Sequence, residues 1–518
     1  MKILVVSLLR LGDVFLAAPA LAGIKRRYPD AELHLLVNRQ AAGAISLLGM
    51  VDRWHIFERD LLQQGLTDAE SPILEPFYRL EGQLQKLRGY DFDMVLNFTH
   101  NRLSGWLCGI IGARQTIGLA LDSQGRPRFG SNWFQFLNDR AEERGREIFH
   151  YSDVFWFGGG MDREARHWRW QLPAQAKVEA DALLQGKTGF IALQPLTSES
   201  KKEWGSEHWV QALQMMQQTR PQSEFVILGA PNERERCEVL LTSLREKGVR
   251  AIVAICSLGT AVEILSRAEM LLTGDTSIKH LAAALPLKVI EISLGSSDWR
   301  RTGIYKSGAY IVQARVPCAP CPHSLPCSES FHRCGAILPP DFIAKFGLAV
   351  LGGEPQQIQD LARAYAGACE IYQTSFSGGG YWQCLPVGRA VQSRDLRMWL
   401  DKLTTKLLLQ GEHLQALGAY GTEAMRMGEW MRKEFPHFST NGWQELIRHL
   451  EGDDQMHQFS AQNAQKKLTQ MMQATRSQST VQLKEMRVLQ AKVEDISRRI
   501  EIRHRLVRSL RNIVEGTL

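Results

Sequence analysis

Hydroxyls, lysines, carboxylates and a histidine gather in three short stretches of this chain. The first is LLRLGDVFLAAPAL, where Gly12 lets the backbone turn sharply and Asp13 follows at or near the start of a helix. Asp13 can serve there as a helix cap, or as a carboxylate that takes a proton from an incoming hydroxyl. The second is QPLTSESKKEWGSEHW, with hydroxyls at Thr197 and Ser198 and cations at Lys201 and Lys202. Such a loop suits a phosphate; it also suits a plain polar turn with Ser206 capping the next helix. The third is LLTGDTSIKHLAAAL, in which Asp275, Thr276 and Ser277 lead into a helix beginning near Ile278. Free N–H groups at that start form an anion site, or an ordinary capping arrangement, and His280 is either a ligand contact or a polar residue on the first turn.

A fourth stretch carries different chemistry. PCAPCPHSLPCSESFHRC places Cys318, Cys321, Cys327 and Cys334 in a C-x2-C-x5-C-x6-C pattern. Four thiolates so close in sequence can close around one tetrahedral ion, with His323 and His332 as spare ligands. A site made wholly of protein ligands is closed, hence structural; zinc is the simplest expectation and iron the alternative. Cys108, Cys237, Cys256, Cys369 and Cys384 are scattered and read as core thiols.

Each of the three polar stretches follows a strand-like run. The opening residues Ile3 to Leu9 contain Val5 and Val6, which favour a strand. Arg10 and Asp13 interrupt what a secretory signal would keep apolar, so the start reads as strand, tight loop and helix. The helix spans Val14 to Ile24 and stops at the basic Lys25–Tyr28 and Pro29, and Glu32 to Val37 forms the next strand. Further strands are expected at Phe92–Phe98 and Thr116–Leu119. A second series runs FIALQP, EFVILGAP, RAIVAICSLG, MLLTGD and LKVIEISLG, with helical patterns between. Two such series predict an α/β protein of two Rossmann-like domains facing across a cleft, 1–172 and 186–350, with the cysteine segment 318–334 in the second. Ligands in such sheets lie beyond the carboxyl ends of the strands, where the three stretches fall.

From about Gly353 strand signals fade, and 354–518 reads as a mainly α-helical extension with FSGGGYWQCLP as a loop. Met486, Leu489, Val493, Ile496, Ile500, Val507, Leu510 and Val514 alternate by threes and fours, with Arg503 the gap: a coiled-coil-like seam. The chain has 518 residues, 44% hydrophobic and 23% charged, with a net charge of +7. Residues 456–518 hold twelve Lys/Arg and five Asp/Glu, so the tail carries the whole excess and the remainder is neutral. The basic seam suits self-association into a homo-oligomer, peripheral contact with an anionic membrane surface, or simple solvation. It lacks interleaved aromatics, so nucleic acid is not expected. No apolar run approaches the ~20 residues that span a bilayer, and the reading is cytoplasmic, with contact at the inner face of the cytoplasmic membrane the one attachment considered.

Taken in order, LGDVFLAAPAL, SKKEW followed by EHW, LLGAPNERE, GDTSIKHLAAAL and GSSDWRRTG resemble the ADP-heptose:lipopolysaccharide heptosyltransferases, glycosyltransferase family 9, over roughly the first 345 residues. The resemblance implies the GT-B fold and an inverting transfer from a nucleotide sugar without a catalytic divalent metal. Asp13 matches the family's base; Thr197, Ser198 and Lys202 match its donor-phosphate loop; Asp275, Thr276 and His280 match its Asp-Thr-Gly-x-x-His motif. Ser277 stands where the family has glycine, Gly274 where it has Asn, and Trp299 where it commonly has Pro. In protein-heptosylating relatives a similar cysteine finger is reported to hold iron. The leading expectation is heptose transfer from ADP-heptose to a lipopolysaccharide core acceptor, a lipid-linked saccharide. A protein acceptor such as an adhesin or flagellin is the alternative within the family, and a non-catalytic scaffold assembling through its helical tail is the alternative outside it.

Overall fold

The computed structural model describes residues 1–392 apart from 68–73, 140–148, 162–165, 324, 330 and 377–379, together with Asp395, Met398 and Lys402. The chain divides into two compact units, Met1–Arg389 and Ala390–Leu518. The seam from Met486 to Val514, and the whole of the extension beyond Lys402, lie outside the described residues.

The first sheet holds β1 (Lys2–Ser7), β2 (Glu32–Asn38), β3 (Arg53–Phe57), β4 (Met94–Asn97) and β5 (Gln115–Ile117), all parallel, in the order β3-β2-β1-β4-β5. Helices cover both faces of such a sheet, which is why β1 and β2 read as near-continuous apolar runs rather than alternating ones. A short antiparallel ribbon follows, β6 (Leu119–Leu121) with β7 (Pro127–Phe129).

The second sheet begins with β8 (Phe190–Gln194), β9 (Phe225–Gly229), β10 (Ala251–Ile255), β11 (Ala268–Thr273), β12 (Lys288–Ser293) and β13 (Tyr310–Ala314), all parallel. Its order is β10-β9-β8-β11-β12-β13, so each domain reverses direction beside its first strand. The crevice of a doubly wound sheet opens at that reversal. It lies between β1 and β4 in one domain and between β8 and β11 in the other, and the three polar stretches are the loops after β1, β8 and β11.

The expected linker after Trp170 contains a helix, Ala174–Leu184, docked on the second domain: Thr260 donates its hydroxyl to Glu179 at 2.6 Å. The C-terminal expectation needs correction. Cys369–Phe376 (β14) and Trp382–Val387 (β15) add antiparallel strands to the second sheet beside β13. The segment read as a loop, FSGGGYWQCLP, therefore carries strand residues, and this domain's sheet runs past residue 354. Trp299, unusual for the resembled family, is buried and packs on Tyr372 of β14 with ring centroids 4.6 Å apart. Its indole fills the space this hairpin creates.

Asp153, in the helix Tyr151–Gly158, ties the two domains together. Its fully buried carboxylate accepts hydrogen bonds from the Tyr305 hydroxyl at 2.6 Å and the Trp382 N–H at 3.1 Å, and pairs with Arg166 at 3.2 Å.

Candidate active site

One cleft of about 970 Å³ is lined by all eight residues singled out for catalysis and donor binding: Asp13, Thr197, Ser198, Lys202, Asp275, Thr276, Ser277 and His280. Asp13 comes from the first domain and the other seven from the second.

The helix after β1 runs Leu11–Arg27, three residues earlier than its apolar pattern indicates. Asp13 thus lies inside the first turn, and its Oδ2 accepts the backbone N–H of Arg10 at 3.2 Å, the backward half of a capping box. Burial pushes its carboxyl up, the Arg10 N–H and charge pull it down, Asp275 raises it and Lys202 lowers it; the outcome is about 6. Gly12 beside it lies inside the helix without a positive φ, so the sharp turn expected there is absent. A Cβ there would sit 3.4 Å from His280 Cδ2, at ordinary contact distance from the second domain.

Lys202 lies in a short turn after β8 and is buried, with Nζ 2.9 Å from Asp275 Oδ2. Asp275 Oδ1 lies 2.6 Å from Lys279 Nζ, and Lys279 is in turn 2.5 Å from Glu291 on β12. Burial alone would raise Asp275, but Lys279 and Lys202 outweigh it and hold the carboxyl well below the usual carboxylate range. The other Glu291 oxygen accepts the Ile304 N–H at 2.8 Å. Lys279 and Glu291 were not foreseen from sequence. The available signal was a glutamate inside the otherwise apolar KVIEIS and a lysine one helical turn after Asp275.

The Thr197 hydroxyl is spent within its own turn, donating to the Glu199 carbonyl at 2.7 Å, whereas Ser198 is exposed. A side chain on Gly274 would press on Thr197 Cγ2 at 3.1 Å, so the small residue there and Thr197 fit each other. Thr276 precedes the helix Ser277–Ala282 without capping it through its side chain. Ser277 is not among the residues with positive φ, so its backbone accommodates a side chain without strain. His280 is buried; burial, Lys279 and Lys202 press its pKa down to about 3, which makes the imidazole neutral. Its Nδ1 is buried and has no hydrogen-bond partner among the described residues.

The cysteine segment adjoins this cleft. The Lys201 ammonium is held by the carbonyls of Pro322, His323 and Leu325 at 2.7, 2.9 and 2.8 Å, and the Lys201 carbonyl lies 2.8 Å from His332 Nε2. The Cys321 thiol is raised by burial and by Cys318, Cys334 and Cys327, so the four sulfurs are electrostatic neighbours. Among the described residues, no three His, Cys, Asp or Glu side chains already converge as a metal centre.

Residues 82–330 match the family described as glycosyltransferase family 9 (heptosyltransferase). Over that span, a little under half of its length, the chain carries the glycosyltransferase family 9 domain. This glycosyltransferase is 25% identical over 332 residues to lipopolysaccharide heptosyltransferase 1 of Pseudomonas aeruginosa, covering 62% of this chain and 86% of the relative. It is 19% identical over 301 residues to lipopolysaccharide heptosyltransferase 3 of Escherichia coli, covering 56% and 82%. Its fold is that of the family 9 glycosyl transferase of Veillonella parvula (TM-score 0.53, 15% identity, 68% of this chain and 98% of that one). The ADP-heptose lipopolysaccharide heptosyltransferase II of E. coli shares the fold too (TM-score 0.50, 16% identity, 68% and 99%). Two facing α/β domains are thus the architecture of this enzyme. No helix among the described residues is long and apolar enough to cross a membrane.

Proposed function

We propose that this glycosyltransferase moves heptose from ADP-heptose, with inversion, onto a hydroxyl of a lipopolysaccharide core saccharide. The observation that carries this reading is the confrontation of Asp13 with the Lys202–Asp275 pair in one cleft. Asp13, with a carboxyl near 6, accepts the proton of the acceptor hydroxyl at neutral pH. The freed oxygen forms a bond to the anomeric carbon while the bond from that carbon to the diphosphate breaks, and the electron pair leaves with the diphosphate. Lys202 meets the charge that develops there, held in place by Asp275. His280 lines the cleft beside them with a neutral ring. The names of the curated relatives support heptose and lipopolysaccharide as the substrate classes.

At Cys318, Cys321, Cys327 and Cys334 the proposal includes a structural zinc or iron ion. The chemistry of the donor set supports it, as does the crowding of Cys321 by three other sulfurs. Binding would draw the sulfurs inward from their present positions, since no three converge already. Such an ion would brace the loop that holds Lys201.

The test is a panel of ADP- and UDP-sugars offered to the purified enzyme with and without lipopolysaccharide core acceptor. Release of ADP from ADP-heptose, dependent on acceptor and lost in Asp13→Ala, is the expected result. Turnover only with a protein acceptor would replace the saccharide. Binding of a donor without turnover on any acceptor would favour the scaffold. Metal content, measured before and after Cys318→Ser and Cys327→Ser, checks the ion separately.

A further inference from the structure

Glu199 lies behind the cleft wall rather than on it, and gathers basic side chains from three separate segments. Its Oε1 is 3.3 Å from Arg10 Nη1 of the first domain, 3.2 Å from His323 Nδ1 of the cysteine segment and 3.7 Å from Lys202 Nζ. Its Oε2 is 2.9 Å from Ser296 Oγ and 3.2 Å from Lys201 Nζ. Burial alone would raise this carboxyl, but Lys202, Ser296, Lys201 and His323 bring it down to about 2, so it is an anion at any working pH. Arg10, Lys202 and His323 line the cleft, whereas Glu199 does not.

We propose that Glu199 is a positioning residue that sets Arg10, Lys202 and His323 around the seat of the donor's diphosphate. One carboxylate thereby links the first domain, the loop after β8 and the cysteine segment. The Arg10 guanidinium is mostly exposed and has little else to fix it, and a floppy cation contributes less to anion binding because its rotamers must be frozen on association. The inference rests on the reading that this cleft takes a nucleoside diphosphate.

The sign of one substitution tests it. Glu199→Gln removes a negative charge behind a cationic wall. If the charge acted only through the local field, the variant would bind anions more tightly. If Glu199 positions these basic side chains, ADP binds less tightly, by about tenfold or more, as expected when hydrogen bonds to a charged group are lost. Calorimetric titration of the full chain with ADP, UDP and inorganic pyrophosphate gives the reading. Equal or tighter binding of the ligand that wild type prefers overturns the proposal. No binding of any of the three by wild type overturns the diphosphate reading, and this proposal with it. Should Glu199→Gln not fold, the variants Arg10→Met and His323→Gln carry the same question, because both side chains rest on the same oxygen. Their effects on ADP affinity should be coupled in a double-mutant cycle, and simple additivity would overturn the proposal.

Discussion

Asp275 divides its carboxylate between two lysines, Oδ2 facing Lys202 at the cleft and Oδ1 facing Lys279 in the core. Lys279 and Glu291 are both fully buried, and their pairing compensates charges that would otherwise be stranded. Removing one partner of a buried pair costs about 3–5 kcal/mol. Lys279→Met should therefore lower the urea midpoint sharply. Lys279→Met combined with Glu291→Gln should recover much of the loss, because no lone charge remains and the glutamine can still accept the Ile304 N–H.

The pH dependence follows from Asp13. Its carboxyl must be ionised to accept a proton, and burial places its pKa at about 6. Transfer should rise with pH up to about 6 and level off above it. His280, at about 3, contributes no limb in that range. Asp13→Asn should reduce turnover by about 10²–10⁴, with ADP affinity little changed. A rate profile flat from pH 5 to 8 in wild type would remove Asp13 from the role of base.

The join between the cleft loop and the cysteine segment can be broken from the backbone. Gly295 has φ +58, and a Cβ there would fall 2.1 Å from the Lys201 carbonyl oxygen. Gly295→Ala should displace the turn that contains Lys201 and Lys202. The expected outcome is a lower melting temperature together with a raised donor KM. A melting temperature unchanged from wild type would show that the two segments move independently.

Asp153 offers a test of the domain interface. Asp153→Ala leaves Arg166 buried without its carboxylate, and the Tyr305 hydroxyl and Trp382 N–H without this acceptor. A loss of about 3–5 kcal/mol is expected by denaturant titration. Limited proteolysis should then cut sooner between the domains.

The sequence shows the strand-ending loops well, because a parallel strand buried on both faces leaves a continuous apolar run that stops where the chemistry begins. FIALQ and AEMLLT stop before Leu196–Lys202 and Gly274–Ser277, and those loops meet in one cleft. What the sequence hid are contacts between distant positions. Arg10 and Glu199 stand 189 residues apart, and no local pattern relates them. The β14–β15 hairpin is hidden in the sequence because its glycine-rich middle reads as a breaker, and its strands are defined by pairing, β14 with β13 and β15 with β14. Thr197 shows the opposite error of reading: its residue type suits a phosphate, yet its hydroxyl is engaged by its own turn.

The order of strands in the second sheet has a consequence for how such an enzyme can diversify. The loops after the inner strands β8 and β11 supply Lys202 and Asp275, the ion pair of the cleft, whereas the segments after the outer strands β9 and β10 supply other wall residues, Asn232, Glu233 and Leu258 among them. Mutation can reshape the outer walls, and with them the ligand that fits, while the reacting centre stays intact. Selection for a new substrate has a separate set of positions on which to act.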